Sequence, residues 1–313
     1  MGRLAVVAIG GNSLIKSADR QSIADQWEAM AETATHIAAM IDQGWDVVVT
    51  HGNGPQVGFI LLRSELASHV LHTVPLDVCG ADTQGAIGYM AQVTLDEAMA
   101  RRATRKKTAT VVTRVVVDAQ DPGFQRPSKP IGPFYTQEQA DRYQKERGWV
   151  VKEDAGRGWR RVVPSPRPLE IIETDAIEAL LRAGFVVVGV GGGGIPVVRE
   201  ADGRLRGVEA VIDKDLASSL LARTIKADLL LISTAVERVA LNYKKPNERF
   251  VDRMTLAEAK GFLAEGHFPA GSMGPKIQAA IEYLEAGGKE VLITAPETLE
   301  RALAGKTGTR ILH

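Results

Sequence analysis

Short, almost wholly apolar runs closed by glycine alternate along this chain with longer segments whose apolar residues recur every three or four positions. "RLAVVAIGGN" reads as a buried strand entering a glycine turn. After it, Ile23, Trp27, Met30, Ala34, Ile37 and Ile41 fall on one helical face. Gly44 ends that helix, "WDVVVT" makes a second buried strand, "HGNGPQ" a second glycine turn, and "VGFILLRSELASHV" a second helix.

The alternation continues with helix "TQGAIGYMAQVTLDEAMARRA", strand "TATVVTRVVVD", helix "DAIEALLRAG" and strand "FVVVGV". Strands "DLLLIST" and "EVLIT" follow, with helices between them. Strands that are apolar throughout and separated by helices predict a mostly parallel sheet covered on both faces, a three-layer αβα sandwich. Such sheets bind ligands beyond the carboxyl ends of their strands.

Residues 118–168 break the rhythm. They hold seven of the fourteen prolines, and their X-Pro steps resist helix and favour extended or turn geometry. We read this stretch as a subdomain inserted into one large domain, and its aromatics and glycines among charges suit a lid.

Composition changes this picture little. The 313 residues, 45% hydrophobic, can bury a large core. Lys plus Arg and Asp plus Glu are each 38, so no net field draws the chain to nucleic acid or an anionic membrane, and any cationic function is local. The apolar run at Leu4–Ile9 is too short for a signal sequence or a membrane span. The single cysteine, Cys79, suits a reducing cytoplasm.

Three familiar motifs need testing. In "GFVVVGVGGGGIPVV", Gly189, Gly191 and Gly194 satisfy G-x-G-x-x-G, with Asp213 about twenty residues on, as a dinucleotide fingerprint requires. The context opposes that reading: "IPVVREADGRLRG" suggests a hairpin where a helix should start, and Asp213 precedes a helix instead of ending a strand. "GKT" at Gly305–Thr307 fails as a P-loop because Glu300 stands where its first glycine belongs. His69 and His72 lack convergent ligands and suit surface or capping roles, and no protein-built metal site is expected.

What remains points to anions. Gly10–Asn12, His51–Gln56 and Gly191–Gly194 are glycine turns after buried strands, each able to expose backbone N–H groups, and Asn12 and Asn53 can add amides. Lys214 and Lys276 sit at helix starts, against the dipole, flanked by Asp213 and Asp215 in one case and by Pro275 in the other. Phosphoryl transfer needs mainly positioned positive charge, which such a set supplies without an acid–base pair.

Taken in order, "AIGGNSL", "HGNGPQVG", "KPIGPF", "KEDAGRGWRRVVPSP", "GGGGIPVV", "GVEAVIDKDLAS" and "GSMGPKI" resemble the carbamate kinases of the amino-acid kinase fold along essentially the whole chain. The resemblance implies reversible transfer between ATP plus carbamate and ADP plus carbamoyl phosphate, with Mg²⁺ carried by the nucleotide. It also implies a homodimer, and often a place in arginine or purine-derivative catabolism. It implies that Gly10, Gly11, Asn12, Gly52 and Asn53 cradle the phosphoryl and carbamate groups. Lys214 and Lys276 would neutralise developing charge and Asp215, or else Asp213, would orient them, while Lys129 of the lid would reach the carbamoyl end. The nucleotide would lie near Gly191, Gly192, Asp213, Ser233, Thr234, Tyr243 and Met273. His51 is not required as a base, since carbamate is already an anion. Asp82 stands where the family more often has Met or Glu, a change suited to altering subunit contacts. Two alternatives stay open: another phosphotransferase of the same fold, or a nucleotide-binding homologue without turnover.

Overall fold

The computed structural model describes residues 2–11, 14, 15, 17, 19–154, 158–269 and 271–313. The chain opens with β1 (Arg3–Ile9), α1 (Ile23–Asp42), β2 (Trp45–His51), α2 (Gly54–Leu66), α3 (Leu76–Arg101), β3 (Thr108–Thr110) and β4 (Arg114–Val116). Next come β5 (Lys129–Tyr135), α4 (Gln137–Arg147), β6 (Val151–Glu153), β7 (Trp159–Val163), β8 (Glu170–Ile171), α5 (Thr174–Arg182) and β9 (Val186–Val188). A hairpin of β10 (Ile195–Arg199) and β11 (Leu205–Gly207) leads to α6 (Lys214–Thr224), β12 (Leu229–Ser233), β13 (Val239–Leu241) and β14 (Arg249–Val251). The chain closes with β15 (Arg253–Thr255), α7 (Leu256–Ala264), α8 (Met273–Glu285), β16 (Val291–Thr294), α9 (Leu299–Leu303) and β17 (Thr309–Leu312).

Among the described residues, eight strands form the main sheet in the order β15-β17-β16-β12-β1-β2-β9-β3, parallel except for the β16–β17 pair. The period-two alternation of strand side chains sends residues to opposite faces. Val6, Val48, Val187 and Leu230 join Ile177, Leu221 and Ile277 of α5, α6 and α8, whereas Val7, Val49, Val188 and Leu231 join Met30, Ile37, Met90 and Met99 of α1 and α3. Each such side chain, fully buried, contributes on the order of 1.5–3 kcal/mol. These two apolar layers are the sandwich that the sequence predicts.

Local signals set the helix ends. Ser22 caps α1 in a reciprocal box with Asp25, and Gly44, at φ +88, turns the chain into β2. Helix α2 starts three residues ahead of the expected Val57 at Gly54, since Pro55 suits its first turn, and ends at Leu66 before His69. His69 Nδ1 then lies 3.1 Å from the Leu66 carbonyl, a cap of the helix end.

The stretch "TATVVTRVVVD", expected as one strand, is two strands in two sheets. Val111 N–H donates to Val188 O and finishes the β3 ladder; Thr113 N–H then donates to Gln84 Oε1 of α3, and β4 pairs with β10 in a separate sheet. Apolarity persists through the break because both halves are buried, so period alone could not reveal it. The short strands β13, β14, β15 and β17 also escape the sequence reading.

The proline-rich insertion builds a sheet of its own, β5-β7-β6, antiparallel throughout. It also holds a helix the prolines did not suggest: α4 is capped by a Thr136–Gln139 box and closed by Gly148 at φ +66. Tyr143 of α4 packs against Tyr135 and Trp149, with the three ring centroids 4.6–5.8 Å apart, and the Arg161 guanidinium lies 4.6 Å from the Trp149 centroid. The insertion rests on α2 through two glycines: a Cβ at Gly58 would come within 2.1 Å of the Gly132 amide nitrogen. None of the helices described is long and apolar enough to cross a membrane.

Candidate active site

The parallel registers of β1, β2 and β12 bring three strand ends to one edge of the sheet. Gly10 and Gly11 follow β1, Gly52 follows β2 and Thr234 follows β12, while α6 and α8 present their first turns to the same edge. A cavity of about 240 Å³ lies there, lined by Gly10, Gly11, Lys129, Asp213, Lys214, Asp215, Thr234, Ala235, Gly271, Ser272, Pro275 and Lys276. Three ammonium groups face two carboxylates, so the cavity keeps a net positive charge, as an anion site requires.

The charges are held in a fixed order. Lys214 Nζ donates to Asp215 Oδ1 at 2.5 Å, and Lys276 Nζ to Asp215 Oδ2 at 3.0 Å. Asp213 caps α6, its Oδ1 accepting from the N–H groups of Asp215 at 2.9 Å and Leu216 at 3.3 Å. Its other oxygen accepts from Lys129 Nζ at 2.7 Å, which ties the first residue of β5 to the main domain. Asp215 therefore bonds both Lys214 and Lys276, while Asp213 holds Lys129.

Burial alone would raise the Asp215 carboxyl, but the two lysines outweigh it and hold it well below the usual carboxylate range. Asp213 is held low in the same way, burial being outweighed chiefly by Lys129. Burial and the neighbouring Lys276 push the Lys214 ammonium down, even beside Asp215. Lys276 shifts up, since Asp215 overcomes its own burial.

The glycine turns divide. Gly10 packs where a Cβ would lie 2.9 Å from Ser233 O, and Gly52 lies where one would stand 3.3 Å from Lys214 Cδ, so both keep the backbone close to the cavity. Asn12 is outside the described residues. Asn53, expected to aim its amide at a phosphoryl oxygen, is instead buried and donates to Thr83 Oγ1 at 2.8 Å. Gly192 makes room for it: a Cβ there would lie 2.2 Å from Asn53 Nδ2. Gly191 packs equally closely on His51 Nε2, so the third turn braces the second from behind and does not line the lysine cavity. Gly191–Gly193 form a short 3₁₀ turn leading into β10, not a helix, which removes the dinucleotide reading.

The expected nucleotide residues are spread out. Thr234 lines the cavity. Ser233 is fully buried, and by strand alternation with Leu229 and Leu231 its side chain faces the α1 layer, away from α6 and α8. Met273 opens α8, half-buried against the core, and Tyr243 stands exposed after β13, both outside the cavity lining. Ala235, Gly271 and Ser272, which do line it, were missed; small residues in loops carry no chemical signal until folding sets them beside Lys276. His51 is buried, its imidazole pushed down to about 4 by burial and further by Lys214, so it is neutral near pH 7 and donates Nδ1–H to Gly52 O at 3.1 Å.

A model of the amino acid kinase family matches residues 3–295. The carbamate kinase-like protein YahI of Escherichia coli is 53% identical over all of this chain and 99% of its own length. The carbamate kinase of Thermococcus kodakarensis is 48% identical over 98% of each chain. Among solved structures, carbamate kinase from Giardia lamblia bound to AMP-PNP superposes with a TM-score of 0.89 at 45% identity, covering 99% of this chain and 98% of that one. Full-length identity at this level, on the fold and lysine-lined strand edge described above, means that the chain belongs to the amino acid kinase family, with the carbamate kinases and carbamate kinase-like proteins.

Proposed function

We infer that the protein is a carbamate kinase, transferring a phosphoryl group reversibly between ATP and carbamate. The observation that carries this reading is the convergence of Lys129, Lys214 and Lys276, fixed by Asp213 and Asp215, on one cavity beside the glycine turn of β1.

A carbamate oxygen attacks the γ-phosphorus of ATP, its bond to phosphorus forms, and the bond to the β-phosphate oxygen breaks. No proton moves before attack, so the neutral His51 has no step to perform. The obstacle is the mutual repulsion of two anions. Lys214 and Lys276 sit where they would take up charge on the phosphoryl oxygens as it shifts, and Gly10 and Gly11 let main-chain N–H groups approach the same oxygens. Lys129 is placed to hold the carbamoyl end while the inserted sheet, acting as a lid, limits water. On this reading Thr234, Tyr243 and Met273 would stand on the adenine side of the nucleotide.

Asp213 and Asp215 are saturated by lysines and N–H donors, and no cluster of three metal-ligating side chains occurs among the described residues. This donor set fits a Mg²⁺ held chiefly by the nucleotide's phosphates, where it would supply further screening. A homodimer is supported by the outer face of α3, where Val78, Tyr89, Gly85 and Ala86 are exposed around Asp82. The one buried thiol, Cys79, raised to about 11 by burial and then by Asp82, is consistent with a cytoplasmic protein. Running towards ATP, the enzyme would serve catabolism that yields carbamoyl phosphate, such as arginine or purine-derivative breakdown.

The deciding measurement is ATP formation from ADP with carbamoyl phosphate, with and without Mg²⁺, set against acetyl phosphate. ATP formed only from acetyl phosphate, or not at all, overturns the assignment.

A further inference from the structure

We propose that a second anion site, for a small molecule bearing a pyrophosphate or paired phosphates, lies at the β15–β17 side of the main sheet in the cavity between β14–β15 and the Gly305–Gly308 loop. The site is distinct from the lysine cavity and shares none of its lining residues. The proposal does not depend on the carbamate kinase reading.

The cavity measures about 660 Å³, enough for a phosphorylated organic molecule, and is lined by Arg238, Arg253, Arg301, Lys306 and Arg310 against only Glu237 and Asp252. In a chain whose formal charges cancel, five cations around one concavity are a local excess. Three of them are engaged: Arg238 with Asp252 at 2.9 Å, Arg301 with Glu237 at 3.5 Å, and Arg310 with Glu290. Arg253 and Lys306 have no carboxylate partner among the described residues. Burial and the charge of Arg253 together push the Arg310 guanidinium down, so the two cations crowd each other.

The backbone adds donors. Gly305 and Lys306 close a turn on α9 through Ala302 O and Arg301 O, but the N–H groups of Thr307 and Gly308 have no acceptor among the described residues, although Gly308 is buried. Buried N–H groups are nearly always satisfied. Gly308, at φ +79, has Leu292, Ala302 and Ile293 packed where a side chain would go, so the loop keeps its shape without one. This is the "GKT" segment that fails as a P-loop: no helix follows it, and it enters β17 beside the carboxyl end of β16, where Thr309 pairs with Ile293. Two free cations, two free N–H groups and three guanidiniums held in place suit a ligand with several charged oxygens more than a monoanion.

Calorimetric titration of pyrophosphate into the full-length protein tests the proposal, with sodium sulfate at equal ionic strength as control. The variants are Arg253→Gln/Lys306→Gln and, separately, Lys276→Ala. One saturable pyrophosphate site that survives Lys276→Ala and weakens tenfold or more in the double variant, whose circular dichroism and turnover match the parent, is the expected result. No saturable binding, binding equalled by sulfate, or binding that survives in the double variant and disappears with Lys276→Ala would each overturn it.

Discussion

Lys129 and Asp213 stand 84 positions apart in the sequence, yet Lys129 Nζ donates to Asp213 Oδ2 at 2.7 Å, joining the inserted sheet to the helix that carries Lys214. One carboxylate thereby caps α6 and anchors the start of β5. Lys129→Ala should cut kcat and raise the KM for carbamoyl phosphate more than that for ADP. A double-mutant cycle with Asp213→Asn should return a coupling of about 0.5–3 kcal/mol, the range for residues in contact. Additive effects would show that the pair does not position the insertion.

Lys214→Ala and Lys276→Ala should each lower kcat by about two orders of magnitude or more, as at other electrostatic sites. Asp215→Asn should cost activity through both lysines at once. Leaving two buried ammonium groups unbalanced should also cost on the order of 3–5 kcal/mol of stability, read by urea unfolding. Unchanged kcat in both lysine variants would remove the screening role.

His51 gives a pH signature. Its folded pKa, about 4, lies below the ordinary 6.5, so the unfolded chain binds the proton more readily. Its contribution is complete above pH 6.5 and is lost as pH falls towards 4, on the order of 3 kcal/mol at one pKa unit per 1.4 kcal/mol. Stability measured from pH 7 to 4 should fall less steeply in His51→Gln, after allowing for the variant's offset. The kcat profile of the parent should show no ionisation near 6.5.

Gly58 is the contact through which the insertion meets α2. Because its Cβ would strike the backbone of Gly132, which cannot rotate away, Gly58→Ala should destabilise by about 1–3 kcal/mol, the cost of overpacking. It should also lower turnover by displacing β5. Thermal unfolding beside a kcat measurement checks both; a neutral variant would mean that the insertion is not rigidly seated.

If α3 forms the dimer contact, Tyr89→Asp should shift the protein to monomers in sedimentation velocity while its circular dichroism is preserved. Asp82→Met should leave turnover unchanged and strengthen association.

The sequence by itself determined the layers. Glycine-closed apolar runs and the helical stripe from Ile23 to Ile41 specify β1, α1 and β2, because burial on two faces and on one face leave different periods. Lysines at helix starts likewise marked Lys214 and Lys276, since such placements run against the dipole and need a reason, and Asp215 stood out as the acid beside Lys214. Tertiary structure alone decided which groups share the cavity. It turned Asn53 towards Thr83, sent Gly191 and Gly192 behind the second turn, divided Asp213 and Asp215 between different lysines, and broke Thr108–Asp118 into strands of two sheets. Each of those outcomes depends on what another segment presents within a few ångströms, namely the Thr83 hydroxyl, the missing side chain of Gly192, Lys129 of the insertion and Gln84 of α3. Local periodicity records whether a residue is buried; the partner that meets it there is set by the packing of distant segments.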